Sequence, residues 1–314
     1  GVAIAADVDG RTFDWAPGGT PTCTPEAMYE HCEGAFLAGD YRTQADGVIR
    51  LAAGADAEPL AQYEIPVTIY LPLVRTGQVP TFVYGHGLSG NRTQGGRLAD
   101  FGAPLGYATV AIDAAEHGDH PTVGGPRRPA LETVFAFFGI NTSGGRSLEA
   151  ARLRDNFAGN AFDRLQLAAL LEAHPDIDGD GTDDLDMAQF AYLGVSLGGV
   201  MGPQELALDD RRGAGVLVVP GGRVATLISD SDTFSGLIDA LRPRGTTEGD
   251  VRRFFPILQT ILDRGDPASW APYLLEETYG LAGDRAGFLS TAFDLAGIAG
   301  VLCIGFLSDR LFGG

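Results

Sequence analysis

The sequence predicts an α/β fold in which a mostly parallel sheet carries helices on both faces. Two observations lead to this prediction. Short apolar runs with strand periodicity alternate along the chain with longer stretches of helical character. Several of these strands are apolar over most of their length, which is typical of parallel strands that are buried on both sides.

The predicted elements begin at Tyr63, where the pattern of the chain changes. Apolar residues alternate from Tyr63 to Leu71, which is the period of a half-buried strand. Further strands are expected over 79–84, 107–112, 190–193 and 214–219, and helices over 92–104, over 148–173 and from residue 197 onward.

By composition and periodicity, the chain divides into three parts. Residues 1–60 are rich in turn signals and predict an irregular N-terminal extension. Residues 61–275 form the α/β core, and residues 276–314 form an apolar, helical C-terminal segment. A Gly/Pro-rich loop over 114–147 carries an apolar patch at 134–138, which is either a lid over a substrate pocket or a surface loop.

Charge and composition exclude several classes of function. The net charge is −19 and the basic residues are scattered, so a nucleic-acid partner is not expected. The chain contains no Lys, and all 22 basic residues are therefore Arg. The absence of Lys excludes a P-loop lysine, Schiff-base chemistry and a Ser–Lys dyad.

Two cysteines close to the N-terminus bear on the compartment. Cys23 and Cys32 fit no metal-binding or redox spacing, so they are either a disulfide that closes a short loop or two free thiols. We expect the disulfide. The chain starts at Gly1, which fits removal of a signal peptide. These features together predict an extracytoplasmic protein, periplasmic or secreted.

A G-x-S-x-G pattern marks the candidate nucleophile. Residues 194–199 read Gly-Val-Ser-Leu-Gly-Gly, with an apolar strand before them and an apolar helix after them. This context is that of a nucleophile elbow, where the serine occupies a tight turn that tolerates only small neighbours. The pattern therefore predicts Ser196 as a catalytic nucleophile.

The elbow, the turn His86-Gly87-Leu88-Ser89-Gly90 after a strand, and Asp113 at the end of the next strand resemble the α/β-hydrolase superfamily. The resemblance covers roughly residues 60–275, and lipases and esterases are the nearest functional neighbours. It implies an oxyanion hole made by the backbone N–H groups of Leu88 and Leu197. It also implies a small-molecule ester or lipid as substrate, and a structural role for His86.

The general base that Ser196 needs is not evident. This fold orders its catalytic residues as Ser, then Asp or Glu, then His, but all five histidines precede Ser196. Either the chain lacks the last strands of the sheet, or the base comes from His117 or His120 in the loop after Asp113. Asp263 and Asp266 follow the serine but stand at a helix end, so neither is assigned as the triad acid.

An acidic loop follows the long helix. Asp176, Asp178, Asp180 and Asp184 occupy positions 1, 3, 5 and 9 of a D-x-D-G-D-G pattern that resembles extracellular calcium-binding loops. Position 12 is Met187, where an EF-hand has Glu. The alternatives are a structural calcium site that pins the strand leading to Ser196 and a solvated acidic loop.

The last forty residues have a different character. Residues 287–307 have the length and composition of a transmembrane helix apart from Asp294. Residues 305–310, Gly-Phe-Leu-Ser-Asp-Arg, resemble the G-x-L-x-D-R loop of major facilitator transporters in the organophosphate-antiporter branch. The segment is either a membrane anchor or a helix that covers the sheet where strands are missing.

These observations predict a serine hydrolase of the esterase or lipase type that acts on carboxylic esters through Ser196. Two other functions stay open. One is a catalytically inactive binding or scaffold protein that keeps the fold, and the other is a membrane-tethered protein that uses residues 287–307 as its anchor.

Overall fold

The computed structural model describes residues 1–52, 54–141, 147–281, 283 and 285. Within them the strands are β1 (Thr22–Pro25), β2 (Tyr29–Asp40), β3 (Ala61–Pro72), β4 (Val79–Gly85), β5 (Ala108–Ile112), β6 (Ile140–Asn141), β7 (Ser147–Leu148), β8 (Leu185–Val195) and β9 (Ala214–Val218). The α-helices are α1 (Val2–Asp9), α2 (Gly96–Gly102), α3 (Ala130–Phe137), α4 (Ala150–Ala173), α5 (Leu197–Leu206), α6 (Val224–Asp230), α7 (Asp232–Leu241), α8 (Glu248–Leu262) and α9 (Pro267–Tyr279).

Seven of these strands form one mixed sheet in the order β1-β2-β3-β5-β4-β8-β9. The four strands β5, β4, β8 and β9 run parallel, and β1, β2 and β3 pair antiparallel at the other side. The α/β fold class predicted from the sequence is confirmed. The three-residue connection between β1 and β2 allows only antiparallel pairing, whereas the parallel pairs need long crossover connections, as α4 provides before β8.

Helices cover both faces of the sheet. The side chains of β5, which point alternately to one face and the other, show this. Val110 and Ile112 point into the large apolar core that also contains residues of α4. Thr109 and Ala111 point the other way, because an added Cβ at Gly95, just before α2, would touch both of their side chains. The helices α2 and α4 therefore lie on opposite faces.

The N-terminal sixty residues are not irregular, and this part of the prediction is wrong. All twelve residues of β2 pair with β3, from Tyr29 opposite Pro72 to Asp40 opposite Ala61. Gly and Ala within β2 weaken the alternation that identifies a strand in sequence, although its core-facing side chains are fully buried. The predicted disulfide is confirmed: Cys23 and Cys32 lie opposite each other on β1 and β2.

The predicted loop over 114–147 contains regular structure. Residues 130–137 form α3, and β6 and β7 form a small antiparallel hairpin. Gly and Pro dominate the start of this segment, but residues 130–138 contain neither, so a helix can propagate once Pro129 has begun it. The apolar patch 134–138 is thus largely helical, with Phe137 buried.

After β9 the described chain is helical, from α6 to α9. The predicted membrane segment 287–307 and the transporter-like residues 305–310 lie outside the described residues. None of the helices within the described part is both long enough and apolar enough to span a bilayer.

Candidate active site

The turn between β8 and α5 holds Ser196 in a conformation that few L-residues adopt. Its backbone has φ 55° and ψ −115°, away from the regions that side chains normally allow. The Ser196 N–H donates to the Val218 carbonyl at 3.0 Å, so β9 fixes the turn from one side. Ser196 itself is exposed. This strand–turn–helix geometry is that of a nucleophile elbow.

Two glycines of the elbow allow backbone to pack directly on backbone. A Cβ at Gly194 would overlap the Gly198 carbonyl, and a Cβ at Gly198 would overlap the carbonyl of Gly85 at the end of β4. The Tyr192 hydroxyl donates to the Gly198 carbonyl at 2.7 Å and holds the first turn of α5 against the sheet. A larger residue at either glycine would push α5 away from the strand that delivers the serine.

The loop after β4 lies directly against Ser196. A Cβ added at Gly87 would be 3.4 Å from the Ser196 Cβ and 3.8 Å from its Oγ. The Gly198 N–H donates to the His86 carbonyl at 3.0 Å, which ties this loop to the first turn of α5. The sequence therefore brings its two family motifs, residues 86–90 and 194–199, together at one point.

Two backbone N–H groups at this point are free to bind an oxyanion. No described group accepts a hydrogen bond from the N–H of Leu88 or from that of Leu197. The Leu197 N–H belongs to the first turn of α5, where the helix dipole favours negative charge. Both leucine side chains pack in the same apolar cluster. The assignment of these two N–H groups to an oxyanion hole stays a prediction.

His86 is a buried structural residue, as the family resemblance implies. Its Nδ1 donates to the Gly87 carbonyl at 2.9 Å, and its Nε2 accepts the Ala114 N–H at 2.9 Å. Burial lowers the pKa of His86 to about 3, so the ring is neutral at physiological pH. With both nitrogens engaged, the ring has no lone pair to offer to Ser196.

His117 has one free ring nitrogen. Its Nδ1 donates to the Ala115 carbonyl at 2.9 Å, which leaves the lone pair on Nε2. That Nε2 is buried and has no hydrogen-bond partner among the described residues. The ring packs beside His86, with their centroids 5.2 Å apart. Burial lowers the pKa of His117, so the imidazole is held in its neutral form.

His120 has no free nitrogen. Its Nδ1 accepts the Thr122 N–H at 3.2 Å, and its Nε2 lies 3.2 Å from the Asp163 carboxylate, to which it donates. The remaining two histidines lie elsewhere, because His31 contacts Glu26 and Glu33 while His174 contacts the Phe13 carbonyl. Of the five imidazoles, His117 is the one with an unbonded nitrogen next to the elbow loops.

Asp263 and Asp266, the two acidic residues considered from the sequence, are engaged in contacts among the helices after β9. Asp266 is buried and accepts hydrogen bonds from four groups, which are the N–H groups of Arg223, Val224 and Ala268 and the side chain of Gln259. It caps α9 and ties that helix to α6. Asp263 is bonded to Gln259 on the surface of the same region. Neither carboxylate contacts a histidine.

The acidic loop between α4 and β8 brings three of the four predicted ligands together. Carboxylate oxygens of Asp176, Asp178 and Asp184 lie within 4.8 Å of one another, whereas Asp180 is bonded to the Thr182 N–H instead. Arg75 also reaches this group. Its guanidinium bonds Asp178, and its Nε lies 2.6 Å from Asp184. The sequence suggested no such cation, because Arg75 lies about a hundred residues away in the chain.

Sequence reasoning also missed a buried ion cluster behind the elbow. Glu205 on α5 lies 3.5 Å from Arg164 of α4 and 2.6 Å from Arg212, and Arg212 also lies 3.1 Å from Asp209. All four side chains are at most 1% exposed. Arg212 stacks on the ring of Phe190 in β8, 4.4 Å from its centroid. The cluster fastens the end of α5 to the sheet and to α4.

An apolar cavity of about 350 Å³ lies among α3, α7 and α8. Phe138, next to the predicted lid patch, lines it and packs edge-on against Phe234, with ring centroids 5.2 Å apart. Leu153 and Leu258 line the cavity and also belong to the apolar cluster that contains Leu197. One continuous apolar region therefore extends from the helix behind Ser196 to the cavity.

No family model matches the sequence, and no curated protein matches it either. The transporter resemblance of residues 276–314 therefore has no support. Similar folds occur among solved structures, all at low sequence identity.

An acetyl xylan esterase from a Paenibacillus species is 18% identical, with 86% of this chain and 73% of that chain covered and a TM-score of 0.48. Acetyl xylan esterase 1 from a Thermoanaerobacterium species is 17% identical, with coverage of 83% and 71% and a TM-score of 0.45. A cold-adapted esterase from an Arctic intertidal metagenomic library is 16% identical, with coverage of 72% and 71% and a TM-score of 0.36.

The sheet order, the helices on both faces and the strand–turn–helix turn at Ser196 define the architecture of this chain. Together they give it a fold of the α/β-hydrolase type.

Proposed function

We propose that this protein is a serine hydrolase that cleaves carboxylic esters through an acyl-enzyme at Ser196. The single observation that carries the proposal is the elbow itself, an exposed serine at φ 55° between a buried strand and a helix N-terminus. A non-glycine residue persists in such a conformation only where its surroundings enforce it, and such strain concentrates at functional sites.

The proposed chemistry uses groups next to that serine. The Ser196 hydroxyl attacks the ester carbonyl, and the N–H groups of Leu88 and Leu197 stabilise the negative oxygen of the tetrahedral intermediate. Loss of one such donor typically costs about 3–4 kcal/mol of transition-state stabilisation. The leaving alcohol departs, and water then hydrolyses the acyl-enzyme.

His117 is the proposed base. No described group accepts or donates a hydrogen bond at its Nε2, which therefore has an unused lone pair. Its ring packs beside that of His86. Transfer of the Ser196 proton to this buried nitrogen requires either a rotation of the ring or one bridging water. His120 is the weaker alternative, because both of its nitrogens are engaged.

The apolar cavity supports an apolar acyl group in the substrate. Its wall is made largely of Phe, Leu, Ile and Val side chains, and it adjoins the apolar cluster around Leu197. A short- or medium-chain ester, or a lipid, would bury its acyl chain there, since apolar burial is worth about 0.8 kcal/mol per methylene.

Hydrolysis of p-nitrophenyl butyrate tests the proposal. We expect turnover by the intact chain, none above background by Ser196→Ala, and a rate lowered by at least about 10²-fold in His117→Gln. His120→Gln is the matched control, a second buried histidine in the same loop, and it should keep most of the activity. Full activity in His117→Gln would exclude His117 as the base.

A non-catalytic binding or scaffold protein is the second candidate function. It is favoured by one observation, that no described group hydrogen-bonds the Ser196 hydroxyl. The same assay separates the two functions, because a scaffold would show no turnover that depends on Ser196 at any pH between 5 and 9, the range in which a histidine base titrates.

We also propose that the acidic loop binds calcium as a structural ion. Asp176, Asp178 and Asp184 offer the hard oxygen ligands that calcium prefers, and Arg75 is the cation that otherwise neutralises two of them. Calcium should raise the melting temperature by about 2–4 °C, the shift that roughly 1 kcal/mol produces in a domain of this size. EDTA should reverse the effect.

The matched pair of variants is Asp176→Asn and Asp186→Asn. The first lies in the carboxylate group and should abolish the calcium effect, whereas the second lies outside it and should not. An unchanged melting temperature in excess calcium would mean that Arg75 alone balances the loop.

The disulfide between Cys23 and Cys32 supports an extracytoplasmic location. Alkylation of the native protein should modify two more thiols after reduction than before it, and equal numbers would contradict the disulfide.

A further inference from the structure

A second, polar cavity lies at the same edge of the sheet as Ser196. It has a volume of about 390 Å³, within the range of roughly 300–1,000 Å³ that small-molecule sites occupy. Its wall comes from the end of β2 and the loop after it (residues 42–47), the start of β3, the loop after β5, and α4. Because β3 is antiparallel to β5, its first residues share the edge where β5 and β8 end.

This cavity is separate from the elbow. The strands β5 and β4 lie between β3 and β8, so at about 4.8 Å per strand β3 and β8 are roughly 14 Å apart. The layer between them contains His117 and Phe137, whose rings are in contact. Asn156, which lines the cavity, donates to the Phe137 carbonyl at 2.8 Å.

Most residues of the cavity wall carry charged or hydrogen-bonding side chains, and none of the described wall residues is Leu, Ile, Val, Met or Phe. Arg42, only 4% exposed, donates from its Nε to Asp40 at 2.9 Å and from Nη2 to the Tyr63 hydroxyl at 3.1 Å. Its Nη1 is buried and has no hydrogen-bond partner within the described chain. That nitrogen has almost no accessible surface and lies beside Gly159 of α4, so it faces the helix, and the Arg42 guanidinium is a fixed part of the wall.

A second charged group in the wall is equally well fixed. Glu116 is 2% exposed, and its carboxylate lies 2.6 Å from Arg128 and 2.7 Å from Arg152. Its backbone has φ 65°, an unfavourable value for a residue with a long side chain. The loop after β5 thus holds this carboxylate at the cavity at the expense of local strain, which is a feature of functional sites.

The pairing of these charges determines what the cavity can bind. Arg42 is balanced by Asp40, and Asp46 at the rim is balanced by Arg50. Arg128 and Arg152 are balanced together by Glu116 and Glu149. A charged ligand would have to break one of these pairs and leave its partner without a counter-ion, which is costly in a buried site. Hydroxyl groups both donate and accept, so they can bond carboxylate and guanidinium at once without disturbing either.

From this arrangement we propose that the polar cavity is a binding site for a neutral polyhydroxylated molecule of monosaccharide size. Arg152, whose side chain is partly exposed, donates to its hydroxyl oxygens, and Asp40 and Glu116 accept from its hydroxyl protons. The site does not depend on catalysis at Ser196.

Binding of D-glucose and myo-inositol to the full chain, measured by isothermal titration calorimetry, tests this site. We expect saturable, one-to-one binding of at least one of them in the millimolar range, with the same affinity in Ser196→Ala. Succinate and 1,4-diaminobutane, of similar size but charged, should bind more weakly. A preference for either charged molecule would overturn the proposal, as would the absence of saturable binding of both polyols.

Two variants locate the binding. Arg152→Gln should weaken it by about tenfold or more, because a hydrogen bond to a charged donor is lost. Ala45→Trp fills the cavity from its exposed rim without touching the ion pairs, and it should abolish binding even if Arg152→Gln does not fold. Arg127→Gln is the matched control, since Arg127 pairs with Asp119 away from the cavity. Binding that survives Ala45→Trp would overturn the assignment.

Discussion

The strand-built part of the chain and the helical part that follows β9 are stabilised in different ways. In the first part, from β1 to β9 with α4 and α5, charged side chains such as Arg164 and Glu205 are fully buried and paired with each other. In the second part, α6 to α9, the buried side chains are mostly apolar, among them Val224 and Leu258, and apolar side chains such as Ile257, at 63% exposure, remain in contact with solvent. Ser196 lies in the strand-built part, next to its boundary with the helices.

The candidate catalytic groups are distributed unevenly between the two parts. Ser196, the N–H groups of Leu88 and Leu197 and all five histidines belong to the strand-built part. The described helical part contributes apolar cavity wall and no histidine. Under the proposed function, the strand-built part therefore supplies the nucleophile and its base, and the helical part supplies apolar contacts to the substrate.

The largest expected effect is in the ion cluster behind the elbow. Glu205→Ala leaves Arg164 and Arg212 buried without this counter-ion, so it should lower the free energy of unfolding by about 3–5 kcal/mol. Urea denaturation measures the loss. A change below about 1 kcal/mol would mean that the cluster is hydrated and that α5 is held by its apolar contacts alone.

The pH dependence of stability gives a smaller effect in the same part. Burial lowers the pKa of His86 to about 3, whereas the unfolded chain titrates near 6.5. Between these values the unfolded state binds a proton that the folded state does not, so stability falls as pH falls below 6.5. At pH 4.5 the loss from this residue is about 3 kcal/mol.

Urea denaturation of the intact chain and of His86→Gln at pH 6.5 and 4.5 isolates this contribution. Carboxylates that titrate in the same window act equally on both proteins, so the difference between the two pH slopes reports His86. Equal slopes would show that His86 is protonated in the folded state, contrary to its two hydrogen bonds with Gly87 and Ala114.

The smallest expected effect is on the exposed helical face. Ile257→Ser should change the free energy of unfolding by less than about 0.5 kcal/mol, because the side chain is mostly in solvent and the two residues have similar helix propensities. A loss above about 1.5 kcal/mol would show that this face is covered in solution. Apolar side chains on this face of the helical part would then be buried in solution, as those in the core of the strand-built part are.

The sequence predicted the parallel half of the sheet and the elbow because both depend on local signals. Apolar runs identified β4, β5, β8 and β9, and the glycines around Ser196 identified a turn where backbones touch. The strand β2 was missed because its small residues hide the alternation, and α3 was missed because turn residues surround it.

The other site features could not be read from the sequence because they depend on contacts between distant residues. Arg75 meets Asp184 across more than a hundred residues, and Arg164 meets Glu205 across about forty. Arg42 and Arg152 both line the polar cavity, although they lie about a hundred residues apart in the chain. A lone arginine carries no pattern that distinguishes such a partner from a solvated side chain.

Labelling with a fluorophosphonate probe tests the central claim, that Ser196 is an activated nucleophile, most directly. Such a probe forms a covalent bond only with a serine whose proton is removed and whose developing charge is stabilised. We predict stoichiometric labelling of the intact chain and none of Ser196→Ala, with both proteins folded by circular dichroism. A folded intact chain that does not react, or a Ser196→Ala variant that still does, would contradict the account.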